Sequence, residues 1–147
     1  MKKAISILLI LFALLTLSAC NTEKTTIEDC EWKMSAVMNN DVTPADSDEA
    51  VIAVGEFDEV YPDAKIVNIT LTAANGKITV TDITNSKVYN GKYRTTKKTP
   101  KGTDYEIEID GQTGYATVSP TKYYNGTEVP TLPLVLGKYS LYFYPNK

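Results

Sequence analysis

The sequence predicts an all-β domain, an antiparallel meander of about eight strands that closes into a β-barrel. Three observations carry that expectation. Apolar and polar residues alternate with period two through much of the chain, the mark of strands buried on one face. Turn residues (Asn, Gly, Pro, Lys) recur at short intervals between those runs. One of the turns is Asn75-Gly76, set between two alternating runs. That pair suits a type I′ hairpin, which needs positive φ at both central positions.

The chain starts with a different kind of segment. Met1-Lys2-Lys3 is a short basic stretch, and Ala4 to Leu17 is apolar apart from Ser6 and Thr16. That run is shorter than the ~20 residues needed to span a bilayer core of ~30 Å, and it has the length of a signal-peptide h-region. Leu17-Ser18-Ala19-Cys20 follows, and it resembles the lipobox of bacterial lipoproteins. The resemblance implies cleavage after residue 19 and a diacylglyceryl group on the Cys20 sulfur. Two acyl chains hold a protein stably where one holds it marginally. The expected location is therefore a bacterial cell membrane, with the lipid-anchored protein facing the extracytoplasmic side. Residues 1–19 are then the signal peptide, 20–30 the lipidated N-terminus and a flexible tether, and 31–147 the barrel domain.

Strand by strand, EWKMSAVM sets Trp32, Met34, Ala36 and Met38 on one face. Residues 39–63 read two ways. VIAV suits a short strand near 50–56 after a long loop, whereas Asp46-x-x-Glu49 with Ala50, Val54, Phe57 and Tyr61 suits a short capped helix. KIVNITLT places Val67, Ile69 and Leu71 inward, and the return strand KITVTD places Ile78 and Val80 there. KVYNGKYRT follows, with Tyr89, Gly91 and Tyr93 on one face and Lys92 and Arg94 on the other. Gly91 inside a strand predicts a bulge or a close backbone approach. DYEIEID alternates most cleanly, with Tyr105, Ile107 and Ile109 inward. Gly111 and Gly114 bracket a turn, YATVS and LPLVLG follow, and KYSLYFY ends with Tyr139, Leu141 and Phe143 on one face.

Charge and cysteine content narrow the function. The formal net charge is −3, and losing Lys2 and Lys3 with the signal makes the remainder more acidic. That balance argues against nucleic-acid binding, which wants a basic footprint. Residues 20–63 hold twelve acids and two lysines, whereas 87–101 hold Lys87, Lys92, Arg94, Lys97, Lys98 and Lys101 without an acid. The basic stretch reads as a solvated face and loop, or as a contact for phosphate-rich headgroups. Lipidation of Cys20 leaves Cys30 without an intrachain partner, so it reads as a half-buried structural thiol. The absence of His removes the usual general base and the commonest zinc ligand. Asp41, Asp46, Asp48 and Glu49 lack the spacing of a calcium loop and read as an acidic solvated loop. Glu106 and Glu108 share an outward face beside lysines and read as solubilising charges. No catalytic, metal or cofactor site is expected beyond the covalent lipid.

The domain is similar to the lipocalin-like domains of small bacterial lipoproteins. The similarity rests on Glu31-Trp32-Lys33, on the strand–Asn-Gly–strand unit at 66–82, and on Tyr89-Asn90-Gly91-Lys92-Tyr93. Gly114-Tyr115-Ala116 and Tyr139-Ser140-Leu141-Tyr142-Phe143 complete it. It implies a calyx-like barrel and an apolar ligand. If the inward faces line a lumen, Trp32, Met34, Tyr89, Tyr93, Tyr105, Ile107, Tyr139 and Phe143 are the pocket. The same residues also suit a packed core with tyrosine hydroxyls at the rim. Two functions stay open: a binding module for a small apolar or amphipathic ligand, and an envelope lipoprotein whose packed barrel docks a protein partner. An exposed aromatic patch at Tyr123-Tyr124, Tyr142 and Tyr144 would serve the second.

Overall fold

The computed structural model describes residues 25–42, 50–55 and 64–146. Ten strands follow in chain order: β1 Trp32–Asn39, β2 Val51–Val54, β3 Lys65–Ile66, β4 Ile69–Ala74 and β5 Lys77–Asp82. Then come β6 Lys87–Thr99, β7 Gly102–Ile109, β8 Gln112–Lys122, β9 Glu128–Leu136 and β10 Tyr139–Pro145. From β4 to β10 each strand pairs antiparallel with the next, and β1 bridges β10 and β4. Eight strands thus close into a barrel, and closure leaves no long edge among them for another chain to pair with.

Turn chemistry sets the hairpins. Asn75 and Gly76 have φ of 52° and 76°, as a type I′ turn requires. Asp110 and Gly111 repeat the geometry at 50° and 78°. The turn between β7 and β8 is therefore Asp110-Gly111, and Gly114, expected to bracket it, lies inside β8. Gly91 makes the close approach its position suggests. The register around it is unbroken, with Ile78 on one side and Ile109 on the other. A Cβ on Gly91 would run into the Glu108 carbonyl oxygen.

β1 departs from simple alternation. Its pairing with β10 shifts between Met34 and Ala36, the mark of a bulge. The extra residue turns the following side chains over. Trp32, Met34 and Val37 are buried, while Ala36 and Met38, expected inward, are not. Beyond the bulge β1 also changes neighbours. Trp32 and Lys33 pair with β4, but Ala36, Val37 and Met38 pair with β2. β3 lies parallel to β2, so these two short strands stand outside the barrel and line the wall where β4 leaves off. VIAV is thus a strand, and the Asp46, Glu49, Phe57 and Tyr61 of the helical alternative lie outside the described residues.

One hydrophobic cluster lies inside the barrel. Trp32, Met34, Leu71, Ile78, Ile107, Leu132, Leu134 and Phe143 are all nearly or wholly inaccessible. Ile27 joins them at 1% exposure, although residues 20–30 read from sequence as lipidated N-terminus and tether. An isoleucine at a plug position removes more apolar surface from water than a solvated tether would. Cys30 packs partly buried against this core and is disulfide-bonded, which corrects its reading as a thiol. The sequence has one other cysteine, Cys20, which lies outside the described residues, as does the whole segment 1–19.

Candidate functional site

The two ends of the barrel differ. Because the meander is antiparallel, the β4–β5, β6–β7 and β8–β9 turns share one end with the start of β1. The β5–β6, β7–β8 and β9–β10 turns share the other.

At the first end, residues 25–30 close the barrel. The Asp29 carboxylate accepts from the Thr26 amide at 2.6 Å and tightens a turn that carries Ile27 inward. The Trp32 indole N–H donates to the Ile27 carbonyl at 2.9 Å, and the Ile27 amide donates to the Tyr105 hydroxyl at 3.2 Å. The Ile27 amide and carbonyl are thereby both satisfied inside the apolar end, where an unpaired one would be costly. Glu28 fastens the rim, accepting from the Tyr93 hydroxyl and from the Asn75 amide at 2.8 Å. Tyr93 and Tyr105 meet edge to face, with ring centroids 5.7 Å apart.

Burial, then the hydrogen bond to the Glu28 carboxylate, pushes the Tyr93 hydroxyl up to about 12. Burial also raises Tyr105. A tyrosine held protonated by folding contributes stability in full below its ordinary value of 10, and loses it as pH rises through 12. The urea midpoint of the protein is expected to exceed that of Tyr93→Phe at neutral pH. The gap should shrink steadily between pH ~10 and ~12. A pH-independent gap would show that the hydroxyl contributes nothing to closing this end.

The second end is open. A cavity of about 400 Å³ lies there, walled mainly by Val37, Ile69, Val80, Ile109, Leu134, Leu136 and Leu141. Ile52 of β2 contributes from the gap between β1 and β4. Polar groups are few: Asp82, Tyr89, Asp110, Gln112 and Tyr139. Asp82 is already committed, its carboxylate accepting from the Asn85 amide at 3.0 Å and side chain at 2.6 Å. That leaves an aliphatic bowl with hydroxyl, amide and carboxylate groups on its lining. It can hold an apolar body and meet a polar tip.

The eight side chains expected to line a pocket fall in three places. Tyr89 and Tyr139 line the open cavity. Trp32, Met34, Tyr105, Ile107 and Phe143 form the packed core, none more than 3% exposed. Tyr93 seals the closed end. The aliphatic wall was missed because a period-two reading gives each strand's inward face but not the depth of each residue along the barrel. Ile69, Val80 and Ile109 were all legible as inward, and only their height makes them lining.

The outer face is ion-paired where register allows. Arg94 meets Glu106 through two bonds of 2.9 and 2.7 Å, and Lys92 meets Glu108 at 3.0 Å. The Arg94 guanidinium lowers the Glu106 carboxyl, which in turn raises Arg94. Asp41 of the acidic cluster lies 3.9 Å from Lys138, while Asp46, Asp48 and Glu49 are outside the described residues. Tyr123 and Tyr124 occupy the β8–β9 turn, whereas Tyr142 and Tyr144 lie on β10. Comparison with protein-family models, curated proteins and solved structures finds nothing that matches this chain.

Proposed function

We propose that the protein is an extracytoplasmic lipoprotein, held to the membrane by a lipid on Cys20, whose lipocalin-like barrel binds a small apolar or amphipathic ligand. The observation that carries the binding role is the open-end cavity. Its volume of about 400 Å³ lies in the range of small-molecule sites, which are mostly apolar with a few placed polar groups. The closed end supports the lipocalin-like reading. There the first-strand tryptophan is wholly buried, and its indole ties the N-terminal segment across the barrel floor. Asp29-Cys30-Glu31 stands before that tryptophan where true lipocalins carry Gly-x-Trp, so the proposal concerns the wider lipocalin-like group.

Cys20 can carry a diacylglyceryl thioether or a disulfide, but not both, and Cys30 is disulfide-bonded in the structure. Intact mass of the membrane-extracted protein separates the two. A diacylglyceryl increment on a chain starting at Cys20 supports the anchor. An unlipidated mass that gains two hydrogens on reduction would overturn it.

For the ligand, the test is native mass spectrometry of residues 20–147 purified from the protein's own host. The expected result is a reproducible excess mass that disappears on denaturation. Leu136→Trp fills the bowl from a half-buried wall position and should abolish the excess while leaving the folded charge-state distribution intact. A bare mass for the unsubstituted protein would turn the search to protein partners.

A further inference from the structure

We infer that the closed end of the barrel is a docking face for anionic phospholipid headgroups, so that the open cavity points away from the membrane. The orientation rests on the anchor proposed above; the headgroup contact stands on the surface itself. Thr25 and Thr26 emerge at the closed end and share a surface concavity with Lys98 and Lys101 of the β6–β7 hairpin. Between Cys20 and Thr25 the chain can span at most about 18 Å. A lipid on Cys20 therefore keeps this end, and not the other, within reach of the headgroups.

The charges at this end are the ones register leaves over. Lys92 and Arg94, lower on β6, are taken by Glu108 and Glu106. The pairing of β6 with β7 then shifts between Thr95 and Lys97. Beyond the shift Lys97, Lys98 and Lys101 make no ion pair among the described residues and are exposed. Asp104, across from Lys97, accepts instead from the Thr117 hydroxyl at 2.8 Å. Of the other acids near this end, Glu28 holds Tyr93 and Asn75, Asp29 holds Thr26, Glu128 sits across from Lys122 on the neighbouring hairpin, and Glu31 is exposed just before β1.

The β8–β9 turn adds the second chemistry of an interfacial surface. Lys122 leads into Tyr123, 44% exposed, and Tyr124, 103% exposed, the second with its whole ring in water. Tyrosine settles at headgroup depth, where its ring is half shielded and its hydroxyl stays wet. Lysines near an anionic leaflet each contribute about fivefold to partitioning, within a Debye length of about 8–10 Å. The full chain carries a net charge of −3, so attraction to an anionic surface cannot come from overall charge. It requires this local patch.

The test uses unlipidated residues 20–147, which keep both cysteines and include every core residue from Ile27 to Phe143. Sedimentation with vesicles of phosphatidylglycerol and phosphatidylcholine should pull the protein down, whereas pure phosphatidylcholine should not. Raising salt from ~20 to ~150 mM should weaken capture severalfold. The triple variant Lys97→Gln, Lys98→Gln, Lys101→Gln should lose on the order of a hundredfold in partitioning. Lys65→Gln, Lys87→Gln, Lys138→Gln removes equal charge away from that end and should leave capture within about twofold of the parent, its lysines lying more than a Debye length from the bound leaflet. Failure to bind anionic vesicles, or equal losses in both triples, would overturn the docking face. Because this protein carries no lipid, that failure is separate from failure of the anchor, which the intact mass reads.

Discussion

Trp32→Ala is expected to lower folding stability by about 3–5 kcal/mol, the usual cost of truncating a buried tryptophan. The side chain is wholly inaccessible on β1 and packs in the main core cluster. Its loss removes apolar burial and leaves a cavity that the β-ladders around it resist collapsing. It also deprives the Ile27 carbonyl of its indole donor, and a buried carbonyl left unpaired adds about 1–3 kcal/mol. Trp32→Phe keeps much of the ring volume and loses the hydrogen bond, so it should fall between the parent and the alanine variant. Urea denaturation followed by far-UV circular dichroism measures all three. Against a typical total of about 5–15 kcal/mol, the alanine variant should be marginal at 37 °C. A loss under about 1 kcal/mol would mean that the closed end tolerates an open floor.

Gly91→Ala is the second large effect, though it adds only a methyl group. The added Cβ would meet the Glu108 carbonyl oxygen and the Ile109 side chain. A side-chain tip can rotate aside, but a backbone oxygen in the ladder between β6 and β7 moves only if the strands part. Overpacking of this kind costs about 1–3 kcal/mol, and more where the obstacle is backbone. We expect about 3 kcal/mol or more by the same urea measurement. Weakened amide protection should concentrate on β6 and β7. Thr113→Ala, at an exposed outer position on β8, is the control and should stay within about 0.5 kcal/mol of the parent. If Gly91→Ala behaved like that control, the close approach would be one that the barrel can relax.

These two residues also show where sequence reading ends. Trp32 was legible as inward because a tryptophan heads an alternating run, but its indole's partner was not. Ile27 stands in a polar stretch without periodicity, and no local pattern reveals that the stretch folds back into the barrel. Gly91 was legible as unusual, since glycine is disfavoured within strands unless something approaches. What approaches it, the Glu108 carbonyl, depends on the pairing of β6 with β7. The β1 bulge was hidden for a related reason. Alternation through Trp32, Met34, Ala36 and Met38 is intact in the sequence, and only pairing with both β10 and β2 turns Val37 inward.

The sequence by itself determined the all-β class, the succession of strands and turns along the chain, the Asn75-Gly76 hairpin and the inward face of most strands. Each is a local property, because side-chain alternation and positive φ are decided within a few residues. Tertiary structure alone decided that β1 closes on β10 and that β2 and β3 stand outside. It also decided that one end is plugged while the other holds a cavity. Those features turn on which strands meet and at what height along the barrel. Height is set by register between strands far apart in the chain, and no single strand's pattern contains it. The lysines make the same point. Lys92 and Arg94 find Glu108 and Glu106 because register places them opposite, whereas Lys98 and Lys101 remain unpaired among the described residues at the end where the chain enters the barrel.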